Sequence, residues 1–449
     1  MEVVIVGAGN VGYTVASALS RIHKVTVIEE RESRFDDIKE SLDVNAYHGN
    51  GASPKVLESV IGPHTDMILA VTEQDEINMF SCIAAKAIKP SIRTVARIRN
   101  PDYIYKDKRT GSYLGADHII SPEILTAEKM AHIAMIENAV DFDEIKSMGL
   151  QVVSFLVRNR HRELHERHLQ DLKIPADCSI VSVYRGDEIL IVKEDLKLAP
   201  GDRINVIGLP AAIKEFNRMM GMRNEARDFV IMGGGIIGRT VASRLEKEKT
   251  YIRLFESDEE KCRMLSRKFD HVLVINGNAV DPRNLREENV GKTDVLLCAT
   301  DSDEKNLLSC LIGMKLGVEK VVSRYTMREF EEIFHMTGIT GAIGYHRVVA
   351  NEVFKRMIPD QEAVLLMHAE GEEFVSIAPM AKSRILGVPL GDVKLPEGAH
   401  IALVMKGDKM IFPRLDTVIE EGDSVLLFAY KTKISKLESL FATSVPVEP

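Results

Sequence analysis

Residues 2–12 read EVVIVGAGNVG, an apolar run followed by glycines at Gly7, Gly9 and Gly12. In a turn that joins a β-strand to a helix, the first glycine allows the tight bend, the second lets the backbone approach a pyrophosphate, and the third lets the helix pack against the sheet. The N–H groups and the positive dipole end of such a helix favour negative charge. The stretch therefore predicts a nucleotide-binding turn between a strand and a helix, with a purely structural turn as the alternative.

The sequence after the turn strengthens the nucleotide interpretation. Val11, Val15 and Leu19 form one apolar face of the predicted helix, and a second apolar strand follows and ends at Glu29. A carboxylate at this place accepts hydrogen bonds from an adenosine ribose and repels a 2′-phosphate. NAD or another adenine nucleotide is therefore favoured over NADP.

The whole pattern occurs twice. A second apolar run, residues 229–232, leads into Gly233, Gly235 and Gly238, and the next strand ends at Glu256. Further matched positions are Asn50 and Asn278, Thr72 and Thr300, Asn78 and Asn306, and Arg97 and Arg324. Each threonine stands three residues before an acid, so we expect it to cap a helix. A duplicated Rossmann-like unit is far more specific than a single glycine motif.

The segments that follow the two Rossmann-like units are duplicated as well. The matched pieces are residues 169–175 with 390–396, the Gly-Asp pair at 186–187 with 407–408, and the pair at 201–202 with 422–423. Short strand-like runs between Gly-Asp turns, closed by a helix near residues 211–220, predict a small α+β module.

The predicted fold class is α/β, with two Rossmann-like parallel-sheet lobes, each followed by a small α+β C-terminal lobe. The predicted bounds are 1–139 for the first N lobe, 140–220 for the first C lobe, 228–360 for the second N lobe and 361–441 for the second C lobe. Residues 221–227 are predicted to be a linker and residues 444–449 a frayed tail.

Composition and charge exclude several classes of protein. The 449 residues are 45% hydrophobic and 28% charged, and no apolar run approaches the ~18 residues that a membrane span needs. The net charge of −9 argues against a general nucleic-acid binder, which needs a basic face. The five cysteines show no CxxC spacing and are predicted to be reduced core residues. With no secretory signal ahead of the first strand, we expect a cytoplasmic protein.

The duplicated arrangement closely resembles the TrkA family of Trk-system potassium uptake regulators, whose members carry two tandem regulator-of-potassium-conductance (RCK, or KTN) units. The resemblance covers nearly the whole chain and rests on both glycine turns, the acids that follow them and the paired turns of the C lobes. The family usually has Gly-Asp after the third strand, facing the adenine side of the ligand, whereas this chain has Gly-Asn at Asn50 and Asn278. The amide removes a charge and adds a donor, so NAD(H), ATP and ADP all stay candidate ligands.

The resemblance implies a cytosolic, peripheral regulator. It would assemble as a homo-oligomeric, tetrameric ring on the inner face of a potassium-translocating membrane subunit of the Trk type, and nucleotide binding would change the shape of the ring and gate potassium uptake. An NAD-dependent oxidoreductase is the competing hypothesis, because the same fingerprint serves dehydrogenases. The C lobes offer no persuasive acid/base partner for hydride transfer, so we predict no catalytic residue and no enzyme.

The two glycine turns and the strand ends supply the predicted ligand contacts. Arg97 and Arg324 each end the fifth strand of an N lobe, where they could reach a phosphate, stay solvated or form an ion pair between lobes. Arg239 is placed to approach a phosphate, whereas the first copy has Tyr13 there, so the two sites are not expected to be equivalent. The predicted cofactor-binding residues are Gly7, Gly9, Asn10, Val11, Gly12, Glu29, Asn50, Thr72, Arg97, Gly233, Gly235, Ile236, Ile237, Gly238, Arg239, Glu256, Asn278, Thr300 and Arg324.

Two further segments carry predictions. His161, His165 and His168 lie in an arginine-rich run and would come together on a helix, but no acidic or cysteine partner accompanies them, so we predict a basic contact surface and no metal site. The helical stretches 125–138 and 348–357 follow the last strand of each N lobe. Their apolar stripes suit packing within their own lobe and packing on the other copy equally, and the family resemblance favours the second, a crossover.

Overall fold

The computed structural model describes residues 1–20, 23–100, 103, 115–165, 167–186, 188–190, 192, 195–221, 225–357, 372–381, 383–396, 399–430, 437, 440 and 441. Several sequence predictions lie outside these residues: Asp187 of a Gly-Asp turn, residues 222–224 of the linker, the boundary between the second N and C lobes within 358–371, and the tail 444–449. No helix in the described part of the chain is long and apolar enough to cross a membrane.

Strands and helices alternate in the first N lobe. The strands are β1 (Glu2–Val6), β2 (Lys24–Glu29), β3 (Asn45–His48), β4 (Thr65–Ala70), β5 (Arg93–Arg97) and β6 (His118–Ile120). The helices are α1 (Asn10–Leu19), α2 (Glu32–Ser41), α3 (Pro54–Val60), α4 (Asp75–Ile88) and α5 (Pro122–Met135). The strands are parallel in the order β3-β2-β1-β4-β5-β6. The order reverses between β1 and β4, and ligands of such sheets bind at the carboxyl ends of the strands at that point.

The first C lobe is an antiparallel sheet. Its strands are β7 (Ala139–Ile145), β8 (Leu150–Leu156), β9 (Cys178–Arg185), β10 (Glu188–Leu190) and β11 (Arg203–Gly208), and its helices are α6 (Arg162–His165) and α7 (Pro210–Met219). The strand order is β10-β9-β11-β8-β7. The predicted closing helix is confirmed as α7, which has a proline in its first turn, where no intrahelical N–H bond is lost.

The second N lobe repeats the first. Its strands are β12 (Asp228–Met232), β13 (Tyr251–Glu256), β14 (Val272–Asn276), β15 (Val295–Cys298), β16 (Val321–Tyr325) and β17 (Gly341–Gly344). Its helices are α8 (Ile236–Leu245), α9 (Glu259–Lys268), α10 (Pro282–Glu287), α11 (Asp303–Leu316), α12 (Phe330–Met336) and α13 (Tyr345–Met357). The strands are again parallel, in the order β14-β13-β12-β15-β16-β17, so the reversal falls between β12 and β15.

The described part of the second C lobe is antiparallel, with β18 (Glu372–Ile377), β19 (Ala399–Lys406), β20 (Lys409–Ile411) and β21 (Ser424–Tyr430) in the order β18-β21-β19-β20. The predicted fold class is therefore confirmed. All five cysteines are buried and reduced, as the sequence predicts.

The four lobes form two compact units, each of which combines two lobes of the same kind. One unit contains the two N lobes, residues 1–130 and 228–357, and the other contains residues 131–227 and 358–449. Within the second unit the sheets of both C lobes share a core, in which Val152 and Ile207 pack with Phe374 and Phe428. The bounds of the four individual lobes stay a prediction.

The crossover is confirmed for α13, whereas for α5 the structure shows one ion pair with the other copy and its packing there stays a prediction. Helix α13 of the second copy packs on α1 of the first, and Val349 and Val15 on these helices are completely buried. In the reciprocal direction, Arg244 on α8 forms an ion pair with Glu128 on α5. The two N lobes are therefore paired through the helices that flank the glycine turns.

Candidate nucleotide-binding cavity

Two glycines in each turn are required by the backbone itself. Gly7 and Gly233 adopt φ angles of +100° and +103°, which side chains other than glycine rarely tolerate. A Cβ on Gly12 would lie 1.8 Å from the carbonyl oxygen of Gly7, and a Cβ on Gly238 would lie 1.8 Å from that of Gly233. These four glycines keep the strand-to-helix turns closed in both copies.

Gly9 and Gly235 are not required in this way. They precede α1 and α8 with φ angles of −67° and −64°, which any residue adopts. A Cβ on Gly235 would meet no atom within 4 Å, and one on Gly9 would lie 3.3 Å from the end of the Arg34 side chain. Neither helix has a side-chain cap, so its first N–H groups are available to an anion.

A cavity of about 650 Å³ lies at the carboxyl ends of β1 and β4 and is lined by both N lobes. Its volume is in the range of small-molecule sites. The predicted residues that line it are Gly7, Gly9, Asn10, Val11, Glu29, Asn50, Thr72, Arg97, Gly235, Ile236, Ile237 and Arg324. The N termini of α1 and α8 therefore border one cavity.

Several predicted residues do not line this cavity: Gly12, Gly233, Gly238, Arg239, Glu256, Asn278 and Thr300. Three of them, Gly12, Gly233 and Gly238, are glycines that the backbone of the turns requires. For Arg239, Glu256, Asn278 and Thr300, which belong to the second copy, contact with a ligand stays a prediction.

Arg97 is 6% exposed and lies on the cavity wall. Its Nη1 donates to the carbonyl of Thr72 at 3.1 Å, and its Nη2 donates to the hydroxyl of Tyr345 at 2.9 Å. That hydroxyl donates to Glu123 Oε1 at 2.6 Å, and the same oxygen accepts from Arg99 Nε at 2.9 Å. A hydrogen-bonded chain thus joins the first N lobe to Tyr345 of the second.

Arg324 is the counterpart of Arg97 in the second N lobe. It donates to the carbonyl of Thr300 and to the hydroxyl of Thr326, and Asp303 lies 3.7 Å away. Burial lowers the pKa of Arg324, and the charge of Asp303 opposes this effect. Among the described residues, the Nε atoms of Arg97 and Arg324 have no hydrogen-bond partner. Each guanidinium therefore keeps one buried donor that no described residue satisfies.

Glu29 and Glu256 bind the backbone of their own turns. Glu29 Oε2 accepts the N–H of Ala8 at 2.6 Å, and its Oε1 accepts that of Arg31 at 2.9 Å. Glu256 Oε2 accepts the N–H of Gly234 at 3.0 Å. Both acids fasten the glycine turn to the end of the second strand. A carboxylate has further lone pairs, so the predicted ribose contact is compatible with this role and stays a prediction.

The two asparagines have different neighbours. Asn50 Nδ2 donates to Glu30 Oε1 at 3.1 Å. In the second copy Ser257 stands where the first has Glu30, and the described contact of Asn278 is with nearby backbone. The family that this chain resembles usually has aspartate at the position of Asn50. Here the carboxylate of Glu30 lies beside the Asn50 amide instead.

The expectation that Thr72 and Thr300 cap helices is wrong. The N-caps are Gln74 for α4 and Ser302 for α11, two residues later than expected. Each threonine hydroxyl donates instead to the asparagine six residues further on, at 2.7 Å in both copies. The same asparagine donates to the carbonyl of Arg97 or Arg324. These side chains thus tie together the ends of two neighbouring strands.

The structure adds cavity residues that the sequence patterns did not indicate: Arg31, Arg34, Arg99, Glu123, Asp301, Thr326 and Tyr345. Glu123 and Tyr345 lie in the first turns of the crossover helices, and they meet at the cavity because the N lobes pair. Their separation of 222 positions leaves no local signal of this contact.

The histidine run does not form one site. His161 is 4% exposed, burial lowers its pKa to about 4, and its Nδ1 accepts the N–H of Arg158 at 3.0 Å. The rings of His165 and His168 contact separate backbone carbonyls. The prediction of a basic contact surface is therefore wrong for His161. Across the part of the chain that the structure describes, no group of three or more His, Cys, Asp or Glu is arranged to hold a metal ion.

Comparisons with known proteins agree with this fold. A family model of the TrkA-N domain matches residues 3–122 and 229–344, and one of the TrkA-C domain matches residues 152–221 and 374–442. The chain is 35% identical to the Trk system potassium uptake protein TrkA homolog 1 of Methanosarcina mazei, over 98% of this chain and 100% of the relative. It is 26% identical to the Trk system potassium uptake protein TrkA of Vibrio alginolyticus, over 99% of each.

Among solved structures, the GsuK channel bound to NAD is similar, with a TM-score of 0.60 and 17% sequence identity. The match covers 98% of this chain and 78% of that one. At this identity the likeness concerns the fold.

Proposed function

The chain belongs to the TrkA family of Trk-system potassium uptake proteins, and from this membership we propose that it is a nucleotide-binding regulatory subunit of potassium uptake. It acts as a ligand-gated switch and not as an enzyme. Its place is the cytoplasmic face of the cell membrane, where copies form a tetrameric ring on a potassium-translocating membrane subunit of the Trk type. The ligand is NAD(H), ATP or ADP.

The observation that carries this proposal is the cavity between the two glycine turns. Two helix N termini border it, and Arg97 and Arg324 add guanidinium donors. Phosphates bind well to such groups, because charge-assisted hydrogen bonds are stronger than neutral ones. Glu29 and Glu30, which also line the cavity, suit the hydroxyl groups of a ribose. The groups along the cavity therefore match the phosphates and ribose of a nucleotide.

In this proposal each copy holds one nucleotide at its own glycine turn, and residues of both sites line the shared cavity. The first site uses Gly7, Gly9, Gly12 and Glu29, with Asn10, Val11, Asn50, Thr72 and Arg97 around them. The second site uses Gly233, Gly235, Gly238 and Glu256, with Ile236, Ile237, Arg239, Asn278, Thr300 and Arg324.

A ligand shifts a conformational equilibrium only if it binds the two conformations unequally. Residues of both N lobes line the cavity, so a bound nucleotide loses contacts when the pairing of the two N lobes changes. Occupancy is thereby linked to the arrangement of the N-lobe unit, and the ring transmits this arrangement to the membrane subunit.

The contacts in the cavity do not favour the alternative of an oxidoreductase. Hydride transfer needs an acid/base group that titrates near the working pH. Burial raises the pKa of the Tyr345 hydroxyl well above its usual value, so this group is a hydrogen-bond donor at neutral pH.

The test is potassium flux in proteoliposomes that contain the Trk-type membrane subunit, with the purified chain added on its cytoplasmic side. We expect flux to require the chain and to differ by about fivefold or more between ATP, ADP and NADH. The Gly9→Ala/Gly235→Ala variant should lose the nucleotide dependence. Gly62→Ala is the matched control, because a Cβ there also meets no atom within 4 Å and Gly62 does not line the cavity.

Flux that is the same with and without the chain would contradict the regulatory role. Steady consumption of NADH with a small carbonyl substrate would favour the oxidoreductase instead.

A further inference from the structure

Tyr345 is a residue of the second copy that lies at the ligand cavity of the first. It is the first residue of α13, is 5% exposed and lines the cavity. Helix α13 packs on α1, which begins at the first glycine turn. The position of Tyr345 at the cavity therefore depends on how the two N lobes pair.

The hydroxyl of Tyr345 lies between opposite charges of the first N lobe. It accepts from Arg97 Nη2 at 2.9 Å and donates to Glu123 Oε1 at 2.6 Å. The Arg97 guanidinium also lies 5.5 Å from the centre of the tyrosine ring. Burial raises the pKa of Tyr345, so its hydroxyl keeps the proton that it donates to Glu123. The three side chains are 5–6% exposed, and water screens their contacts little.

This chain of side chains has unused hydrogen-bonding capacity at the cavity. Arg97 Nε and Glu123 Oε2 are buried and have no hydrogen-bond partner among the described residues, and both side chains line the cavity. Buried polar atoms are nearly always satisfied in folded proteins. A nucleotide phosphate at the cavity would give the Arg97 guanidinium an anionic acceptor.

We propose that Tyr345 is a positioning residue for Arg97. Its hydroxyl, supplied by the second N lobe, fixes the Arg97 guanidinium against a phosphate of the nucleotide at the first glycine turn, so that phosphate binding and lobe pairing are coupled. This inference rests on the nucleotide-binding function proposed above. The residue that begins the corresponding helix α5 is Pro122, which has no hydroxyl, so the coupling belongs to the first site alone.

The test is Tyr345→Phe in the full-length chain, with ADP as the probe in calorimetric titration. We expect ADP affinity to fall about tenfold, because a hydrogen bond to a charged group is lost. Adenosine, measured by displacement of ADP, should keep its wild-type affinity because it has no phosphate. A merely structural role would weaken both ligands alike. Tyr251→Phe is the control, since Tyr251 is 54% exposed and does not line the cavity.

A double-mutant cycle isolates the route of the effect. In an Arg97→Ala background, Tyr345→Phe should not lower ADP affinity further, because its effect passes through Arg97. If Tyr345→Phe fails to fold, Glu123→Gln is the second variant. It removes the charge that holds the hydroxyl but keeps an acceptor, and it should give the same selective loss for ADP.

Lobe pairing is measured by the distance between spin labels at Glu40→Cys on α2 and Glu260→Cys on α9. Both positions are exposed, whereas the five native cysteines are buried. We expect ADP to shift this distance in the otherwise wild-type chain and not in Tyr345→Phe.

Equal ADP affinity and an equal ADP-induced shift in Tyr345→Phe would overturn the positioning role while leaving nucleotide binding intact. If the wild-type chain shows no saturable binding of ADP or NADH, the proposed function itself fails, and the positioning role fails with it.

Discussion

The two glycine turns of this chain are built alike but are surrounded by different side chains. The contact of Gly12 with the Gly7 carbonyl recurs as that of Gly238 with Gly233, with the same 1.8 Å clearance for a Cβ. The bond from threonine to asparagine beside each turn also has the same length, 2.7 Å. The duplication has thus kept the residues that the backbone needs.

The side chains around the turns have diverged. At matched positions the first copy has Arg31, Arg34 and Arg99, and the second has Asp258, Lys261 and Thr326. Asp258 caps α9 by accepting the N–H of Lys261, whereas Arg31 at the start of α2 makes no side-chain cap. An acid therefore replaces a base beside the second site. We infer that the two sites differ in affinity for anionic ligands, with the first binding them more tightly.

The largest expected effect concerns what the two turns share. Gly12→Ala and Gly238→Ala each place a Cβ 1.8 Å from a carbonyl oxygen, so we expect each to destabilise the N-lobe unit by about 3 kcal/mol or more. Thermal unfolding of both variants measures this, with Gly62→Ala as the control. A wild-type unfolding temperature for only one of the two would break the equivalence of the turns.

The next effect tests whether both lobes serve one cavity. Arg97→Ala and Arg324→Ala should each weaken ADP binding at the first site by about 2 kcal/mol, because each removes a charge-assisted donor from the same wall. Calorimetry on each variant gives the values. Arg263→Ala, on the exposed face of α9, is the control. If Arg324→Ala leaves the ADP affinity of the first site unchanged, Arg324 does not contribute to that site, and the two N lobes do not share one ligand cavity.

The two crossover helices differ in their second residue, which is Glu123 in α5 and His346 in α13. We therefore expect the protonation of His346 to give α13 its own effect on the pH dependence of stability. His346 is 2% exposed, and burial lowers its pKa to about 4. Since the unfolded chain binds the proton at about pH 6.5, this contribution to stability is full above that pH and is lost as the pH falls towards 4.

We expect a loss of about 2 kcal/mol from His346 between pH 6.5 and pH 5. Denaturant unfolding at both pH values should show a smaller pH dependence in His346→Gln than in the wild type, whereas the exposed control His271→Gln should behave like the wild type. An unchanged pH dependence in His346→Gln would contradict the burial argument.

The smallest expected effect separates the asparagines. Asn50→Asp places a carboxylate beside Glu30, where the amide now donates at 3.1 Å, so ADP affinity should fall by about threefold, as for other exposed charge pairs. In the second copy the uncharged Ser257 stands at the position that matches Glu30, so Asn278→Asp should change second-site affinity less. Titrations of the two variants with ADP measure both losses of affinity. Equal losses would contradict the role given to Glu30.

Much of the fold followed from the sequence because its signals are local and occur twice. Glycine spacing, apolar strands and acids at strand ends predicted both parallel sheets, and the end of the fifth strand placed Arg97 and Arg324 at the ligand edge. These residues line the cavity because the carboxyl ends of parallel strands meet at one edge.

The remaining features depend on tertiary contacts. The Tyr345 hydroxyl reaches Arg97 only because α13 packs on the other copy, and no local pattern encodes that contact. The threonine caps failed because α4 and α11 begin at Asp75 and Asp303, which puts Gln74 and Ser302 in the N-cap positions. His161 sits among polar residues in sequence, yet it is buried where its ring accepts a backbone N–H. Burial and partner choice at these positions come from packing.

The proposed function rests on the claim that a nucleotide occupies the cavity shared by the two glycine turns. Calorimetric titration of ADP and NADH into the wild type and Gly235→Ala tests this claim, because the added methyl group meets no protein atom within 4 Å. We predict an unchanged unfolding temperature for Gly235→Ala and a loss of about tenfold or more in affinity, since the methyl group occupies space that the ligand needs. Identical isotherms for the two proteins would contradict the claim.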